Sequence, residues 1–260
     1  MRLSCLALFV TLLAGCASTP PIDTRFSAVG QNSRVQYIIL HYTSTDLAHS
    51  LLLLSQGEVS SHYLIGEAPP TIYRLVDEDR RAWHAGDSQW QGRTWLNGTS
   101  IGIELVNQGF SEGPERRDWQ PFAPAQIDAL IALLKDIVRR HQLPLGSILA
   151  HSDIAPQRKV DPGPLFPWKR LADAGLIAWP DAAEVARQQA LFCASLPSVA
   201  WFQAQLARLG YAVPQHGELD PATRNVLIAF QMKYRQARYD GEPDAETAAL
   251  LLVLNKQAPR

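Results

Sequence analysis

The sequence feature that most constrains the fold is the apolar run at residues 35–42. Most of its residues are β-branched, aliphatic or aromatic, and polar residues do not alternate with them. This pattern is typical of a strand that is buried on both faces, as in a sheet that is covered by helices. We therefore predict that residues 35–42 form a central strand.

The other predicted elements indicate an α/β fold. A helix is predicted at 46–55, with Thr45 as its N-cap and Gly57 at its end. The clearest helix starts at Pro124 and carries apolar residues at three- and four-residue spacing as far as Val138. Further strands are predicted at 61–65, 71–76 and 100–106. Together these elements predict a central mixed sheet flanked by helices.

An internal repeat marks a second, smaller unit near the C-terminus. Residues 217–223 and 241–247 have similar sequences, and each contains an aspartate, Asp220 or Asp244, that is suited to cap a helix. A third helix is predicted at 198–208. We therefore predict a small C-terminal domain of three helices.

The first residues have the pattern of a bacterial export signal. Residues 3–14 are apolar but too short to span a bilayer of roughly 30 Å, so they predict a signal peptide. The Leu-Ala-Gly-Cys sequence that ends at Cys16 resembles a lipobox, which implies a lipid anchor on Cys16. Ala17 then implies sorting to the outer membrane, with the protein facing the periplasm. An ordinary cleaved signal is the alternative.

These patterns divide the chain into five predicted parts. They are a signal peptide at 1–15, a tether at 16–33, an α/β domain at 34–175, a linker at 176–195 and a three-helix domain at 196–260.

Charge and cysteine content argue against two classes of protein. The 260 residues include 24 Lys plus Arg and 25 Asp plus Glu, a net charge of -1. This balance gives no electrostatic basis for binding a nucleic-acid backbone, so we predict no nucleic-acid partner. The 3 cysteines are too few for a disulfide framework.

Three residues at predicted strand ends and in a proline-rich segment suggest a metal site. His41 ends the first strand, and His151 follows the apolar stretch at 148–150. Asp161 lies in a segment whose path is fixed by prolines. Two imidazoles and one carboxylate, with a fourth position left for water, are typical of a catalytic zinc ion. We predict one Zn²⁺ per chain.

Four motifs, taken together, resemble the zinc-dependent N-acetylmuramoyl-L-alanine amidases. They are His41-Tyr42-Thr43, Trp83-His84-Ala85-Gly86, Ser100-Ile101-Gly102-Ile103-Glu104 and the segment 151–164. The resemblance covers about residues 34–175 and implies a fold related to peptidoglycan recognition proteins.

The resemblance also implies a role for individual residues. The zinc ligands of the family correspond to His41, His151 and Asp161. Its catalytic carboxylate corresponds to Glu104 and its catalytic lysine to Lys159.

The residue pattern supports both catalytic assignments. Glu104 alternates with apolar residues in the strand 100–106, so its side chain lies on the opposite face from theirs. If the segment around Asp161 is extended, the side chain of Lys159 points in the same direction as that of Asp161. Without the resemblance, a solvated carboxylate and an ordinary surface lysine are the alternatives.

Four further residues are candidates for substrate binding. Trp83 and His84 are expected at a rim that contacts sugar or peptide, although aromatic residues near glycine also act as loop anchors. His62 is expected in the wall of the site, where a structural histidine is equally consistent with the sequence. Arg158 adjoins Lys159 in the same loop.

The C-terminal unit resembles the bacterial peptidoglycan-binding module over residues 196–254. The resemblance implies that this unit holds the enzyme on the cell-wall polymer. A helical appendage that only packs on the first domain is the alternative.

The sequence therefore predicts zinc-dependent hydrolysis of the amide between N-acetylmuramic acid and L-alanine, in peptidoglycan or muropeptides, during wall remodelling or turnover. Three alternatives stay open: a non-catalytic peptidoglycan-binding lipoprotein, a structural lipoprotein that attaches the envelope to the wall, and a zinc peptidase of the stem peptide. The oligomeric state is not predicted.

Overall fold

The computed structural model describes residues 20–113 and 117–257. The chain forms two compact units, Met1–Asn32 and Ser33–Arg260, and the described part of the first contains no helix or strand. The predicted signal peptide and Cys16 lie outside the described residues. Within the described ranges, every helix is too short or too polar to cross a membrane.

The strands of the described residues form one main sheet and two small antiparallel pairs. They are β1 (Tyr37–Tyr42), β2 (Tyr63–Ile65), β3 (Ile72–Arg74), β4 (Gln89–Trp90), β5 (Arg93–Thr94), β6 (Ser100–Leu105), β7 (Phe110–Glu112), β8 (Arg117–Trp119) and β9 (Ile148–Ala150). The main sheet has the order β3-β2-β6-β1-β9, and β4 pairs with β5 and β7 with β8. Strand β1 is parallel to β6 and β9, whereas β3 is antiparallel to β2. The predicted mixed sheet is confirmed, with β1 as an inner strand.

The register of the parallel strands brings the predicted chemical residues to one edge. His41 of β1 pairs with Glu104 of β6. Leu40 pairs with Ala150 of β9, so His151 follows directly beside His41. The carboxyl ends of parallel strands are where α/β sheets place their ligand sites.

The helices of the described residues flank this sheet. They are α1 (Leu47–Gln56), α2 (Pro124–His141), α3 (His151–Ile154), α4 (Trp168–Asp173), α5 (Ala182–Ala194), α6 (Val199–Leu209), α7 (Pro221–Tyr234) and α8 (Ala245–Gln257). Helix α2 begins at Pro124, as predicted, and carries arginines in its last turn, where cations favour the helix dipole. Helices α6, α7 and α8 confirm the predicted three-helix unit.

Local capping explains where several helices begin. The carboxylates of Asp220 and Asp244 accept the backbone N–H groups of Thr223 and Thr247 at 2.7 and 2.8 Å, as predicted from the repeat.

The prediction of Thr45 as the cap of α1 was wrong. Asp46 is the N-cap, and its carboxylate accepts the N–H of His49 at 2.9 Å. Thr45 instead forms an isolated β-bridge with Asn107, which holds its backbone outside the helix. The helix ends at Gly57, as predicted.

The predicted linker contains helix α5. Asp181 directly follows Pro180, and its carboxylate accepts the N–H of Glu184 at 2.8 Å. The alanine-rich sequence after this cap favours a helix. Helix α5 packs against α8, and Lys256 of α8 donates to Glu184.

Different parts of the chain bury the two faces of the sheet. Ile38 and Leu40 belong to a core cluster that includes Leu134 of α2. Ile39, which points to the opposite face, belongs to a second cluster that includes Phe230 of α7. The C-terminal helices therefore cover one face of the sheet, which explains why residues 35–42 are apolar without alternation.

We predict that replacing Phe230 with alanine lowers the free energy of unfolding by about 3–5 kcal/mol, because its fully buried ring fills the core shared by α7 and the sheet. The change is measured by urea unfolding. The matched control is Leu191→Ala at a side chain that is 59% exposed, with a change within about 0.5 kcal/mol. A transition in which the helices unfold separately from the sheet would contradict a shared core.

Candidate active site

Three side chains converge at the carboxyl edge of the sheet. His41 comes from the end of β1, His151 from the first position of α3 and Asp161 from the turn that follows. The Nδ1 atoms of the two histidines are 2.9 Å apart, and they lie 3.1 and 3.0 Å from Asp161 Oδ2. All three residues are buried. The structure therefore brings together all three residues that the sequence predicts as metal ligands.

A directed chain of hydrogen bonds fixes the protonation of His41. The Ser100 hydroxyl donates to the carbonyl of Leu96 at 2.7 Å, so its oxygen is free to accept from His84 Nε2 at 3.2 Å. His84 Nδ1 then accepts from His41 Nε2 at 3.1 Å. With its proton on Nε2, neutral His41 has an unprotonated Nδ1.

Polar contacts also orient the ring of His151. Its Nε2 lies 3.3 Å from the carbonyl of Ala85, which accepts hydrogen bonds, and 3.4 Å from the Arg158 guanidinium, which donates them, so its Nδ1 is directed at His41 and Asp161. Burial lowers the pKa of His41 to about 4, which keeps its imidazole neutral at pH 7.

Two imidazole Nδ1 atoms and a carboxylate oxygen therefore face one point. Their separations of 2.9–3.1 Å are close to the roughly 3.4 Å between ligands of a tetrahedral ion with bonds of about 2.1 Å. Three acceptors packed this closely repel one another unless a cation or a proton lies between them. The donor set thus fits a metal ion with a further open position.

Gly102 makes room for the His84 ring. A Cβ atom at Gly102 of β6 would lie 2.4 Å from Cγ of His84. Sequence reasoning assigned His84 to substrate binding and did not identify its contact with His41. The glycine in the middle of an otherwise bulky strand was the only local signal of a close approach.

Glu104 lies beside this cluster on the neighbouring strand. Its Oε2 is buried and has no hydrogen-bond partner among the described residues. Burial raises the pKa of Glu104 to about 8, with the charge of Asp161 adding to the rise and that of Lys159 opposing it. Both Glu104 and Lys159 line the cleft.

The segment that carries Lys159 is a turn rather than an extended strand. Residues 156–158 form the turn, and the N–H groups of Arg158 and Lys159 donate to the carbonyl of Ala155. The Arg158 guanidinium donates to the carbonyls of Ala85 and Asp87. Arg158 thereby holds the loop whose carbonyl orients His151.

Trp83 and His62 occupy different surroundings. Trp83 lines the cleft, is 51% exposed, and has the Arg81 guanidinium carbon 4.1 Å from its ring centroid. His62 is fully buried and is not among the residues that line the cleft. Its Nδ1 accepts the N–H of Gly102 at 3.0 Å, so it supports β6 from within the fold.

The cleft has a volume of about 490 Å³ and a mixed lining. Leu53 of α1 and Val59 lie on one side with Trp83, and Phe110 and Arg117 come from the pair β7 and β8. A cleft of this size holds part of a small ligand or one segment of a polymer.

Sequence comparisons identify two families in the chain. The profile described as N-acetylmuramoyl-L-alanine amidase matches residues 31–164. A profile for a peptidoglycan binding domain matches residues 195–251. The chain is 45% identical to N-acetylmuramoyl-L-alanine amidase AmiD of Escherichia coli K12 over 259 residues, covering 94% of this chain and 93% of that protein.

Solved structures show the same likeness. The complex of E. coli AmiD with the substrate anhydro-N-acetylmuramic acid-L-Ala-D-γ-Glu-L-Lys matches with a TM-score of 0.83 and 44% identity, covering 91% of this chain and 94% of that one. AmpDh3 of Pseudomonas aeruginosa, in complex with anhydromuramic pentapeptide, matches with a TM-score of 0.86 and 38% identity, covering 93% and 100%.

Replacing Gly102 with alanine should weaken Zn²⁺ binding about 10–100-fold, because the added methyl displaces His84 from His41. Competition with a chromogenic chelator measures the dissociation constant. Gly98→Ala is the matched control, since a Cβ there meets nothing within 4 Å. Equal Zn²⁺ affinity in both variants would show that His84 does not position His41.

Proposed function

The chain belongs to the N-acetylmuramoyl-L-alanine amidase family, and we propose that it acts through one zinc ion held by His41, His151 and Asp161. It is an enzyme that hydrolyses the amide between N-acetylmuramic acid and L-alanine in peptidoglycan or muropeptides. The observation that carries the zinc proposal is the convergence of two imidazole Nδ1 atoms and a carboxylate oxygen within 3.1 Å of one another. Two histidines and one acidic ligand with an open position are typical of catalytic zinc.

The ion and Glu104 have complementary roles in this proposal. Zn²⁺, when held by His41, His151 and Asp161, would supply Lewis acidity that activates water at neutral pH, and its charge would favour the ionised form of Glu104. Glu104 then takes the proton of the attacking water and returns it to the leaving amine of L-alanine. Its position beside His41 and its unpartnered Oε2 support this role.

We assign Lys159 to stabilisation of the oxyanion. Lys159 lines the same cleft as Glu104, and its charge lowers the pKa of the Glu104 carboxyl. A fixed cation placed where negative charge develops lowers the barrier to amide addition.

The proposed substrate-binding residues differ in how well they are supported. Trp83 is the best supported, since half of its large ring is exposed at the cleft and offers a stacking surface for sugar or peptide. His84 and Arg158 also line the cleft, but their polar atoms already hold His41 and the 85–87 loop. His62 supports β6, and we propose no direct substrate contact for it.

We further propose that the three-helix domain at 196–260 binds the glycan-peptide polymer, as its family match suggests. In this proposal the linker at 176–195, which includes α5, joins it to the catalytic domain at 34–175. A lipid on Cys16, after removal of 1–15, fixes the tether at 16–33 to the outer membrane. Two attachments raise the effective concentration of the enzyme at the wall.

The function is tested by mass spectrometry of products from a soluble muropeptide and from whole sacculi. We expect free stem peptide that begins at L-alanine, formed with Zn²⁺ and lost with chelator. Glu104→Gln, which retains the size of the side chain, should abolish product while leaving Zn²⁺ bound. Cleavage within the stem peptide would indicate a peptidase, and binding without cleavage would indicate a receptor.

Lys159→Met should shift the acidic limb of the kcat/KM profile to higher pH. The charge of Lys159 lowers the pKa of Glu104, so its removal raises that pKa, and the base is ionised only at higher pH. Loss of the oxyanion contact should also lower the plateau about 10²–10³-fold. Lys159→Arg retains the positive charge and should leave the acidic limb of the kcat/KM profile at the same pH. An unchanged profile in Lys159→Met would identify an ordinary surface lysine.

A further inference from the structure

The turn that carries His151 is held by residues of the C-terminal helices. Asp153, the third residue of α3, is fully buried. Its Oδ2 accepts from Lys233 Nζ at 2.7 Å and from the N–H of Ala150 at 2.9 Å. Its Oδ1 accepts from the Tyr211 hydroxyl at 2.7 Å. Both carboxylate oxygens are therefore satisfied by fixed donors.

The two side-chain donors come from a distant part of the chain. Lys233 lies near the end of α7, and Tyr211 follows Gly210, the C-cap of α6. Both are buried, and Lys233 Nζ also donates to the carbonyl of Ile148 in β9 at 3.3 Å. Its ammonium lies 4.4 Å from the ring centroid of Trp168. A buried ammonium with these partners is locked in place and cannot lose one of them to water.

The α3 turn controls two of the three proposed metal ligands. His151 is its first residue, so rotation of the turn moves the His151 ring. The N–H of Ser152 donates to the carbonyl of Asp161 at 3.0 Å, which ties the turn to the backbone of the second ligand. Asp153 therefore acts on both ligands through the backbone.

The segment that follows Asp161 is also supported by the C-terminal unit. Trp119 Nε1 donates to the hydroxyl of Tyr239 at 3.0 Å, and the Trp119 ring lies where a Cβ of Gly163 would be. The side-chain amide of Gln236 donates to the carbonyl of Phe166 at 2.6 Å. Residues beyond α7 thus contact the ligand-bearing segment on its far side.

We propose that the C-terminal helices are a positioning element of the metal centre, in which Lys233 and Tyr211 hold Asp153 and so fix His151 and Asp161. This inference rests on the zinc site of the proposed function and adds a role distinct from binding the wall. Lys233, Tyr211 and Asp153 are positioning residues, since none of them lines the catalytic cleft.

The test uses the full chain and measures Zn²⁺ affinity by chelator competition in the absence of substrate. Lys233→Met should weaken Zn²⁺ binding about 10–100-fold, and Tyr211→Phe should weaken it severalfold. Lys233→Arg should lose less Zn²⁺ affinity than Lys233→Met, because it keeps the positive charge. On a soluble muropeptide, kcat at limiting Zn²⁺ should fall with little change in KM.

The matched control is Arg224→Met. Arg224 lies on α7, as Lys233 does, but it forms its ion pair with Glu242 and not with a residue of α3. It should leave Zn²⁺ affinity unchanged. If Lys233→Met does not fold, Tyr211→Phe, which removes one hydroxyl, still decides the question.

The outcomes separate this inference from the proposed function. The inference is overturned if each folded variant has a lower unfolding temperature but a Zn²⁺ affinity within twofold of wild type. The contacts would then contribute only to ordinary interdomain packing. Failure of the wild-type chain to bind Zn²⁺ would overturn the zinc proposal itself. Wild-type cleavage together with reduced Zn²⁺ affinity in the variants supports both.

Discussion

Parallel pairing of β1 with β6 and β9 is the constraint on which the site depends. It places His41 opposite Glu104 and brings His151 to the same edge without any long side-chain reach. Parallel strands require burial on both faces, so the pairing in turn requires two layers of helices. The same hydrogen bonds that define the sheet therefore set the spacing of the chemical groups.

Burial then determines how those groups behave. An imidazole held among apolar strands stays neutral, and its proton must point at an acceptor. The carbonyl of Leu96 is the fixed end of the path that orients the proton of His41. Backbone carbonyls thus help to orient both histidines, and Glu104 Oε2 has no hydrogen-bond partner among the described residues.

The sequence predicted those parts of the site that follow from local pattern. Strand ends located His41 and His151, and strand alternation turned Glu104 away from the core. The sequence could not show the contact of His84 with His41, because that contact depends on how a long loop folds over β6. The pair Lys233–Asp153 was equally hidden, since a lysine in a helix normally indicates a solvated face. The start of α1 depended on a contact that is distant in sequence, since the bridge of Thr45 with Asn107 leaves Asp46 as the cap.

The division of the sheet between two sets of helices has a consequence for biosynthesis. Ile39 lies in the first strand, whereas Phe230 and the other residues of α6, α7 and α8 that cover part of its face are made much later. Contacts between such distant residues form late, and their formation is slow. During synthesis, one face of the sheet of an emerging chain is therefore only partly covered until α7 and α8 are free to dock. The contact of Lys233 with Asp153 also waits for α7, so the turn that carries His151 is completed by a segment that is made long after β1.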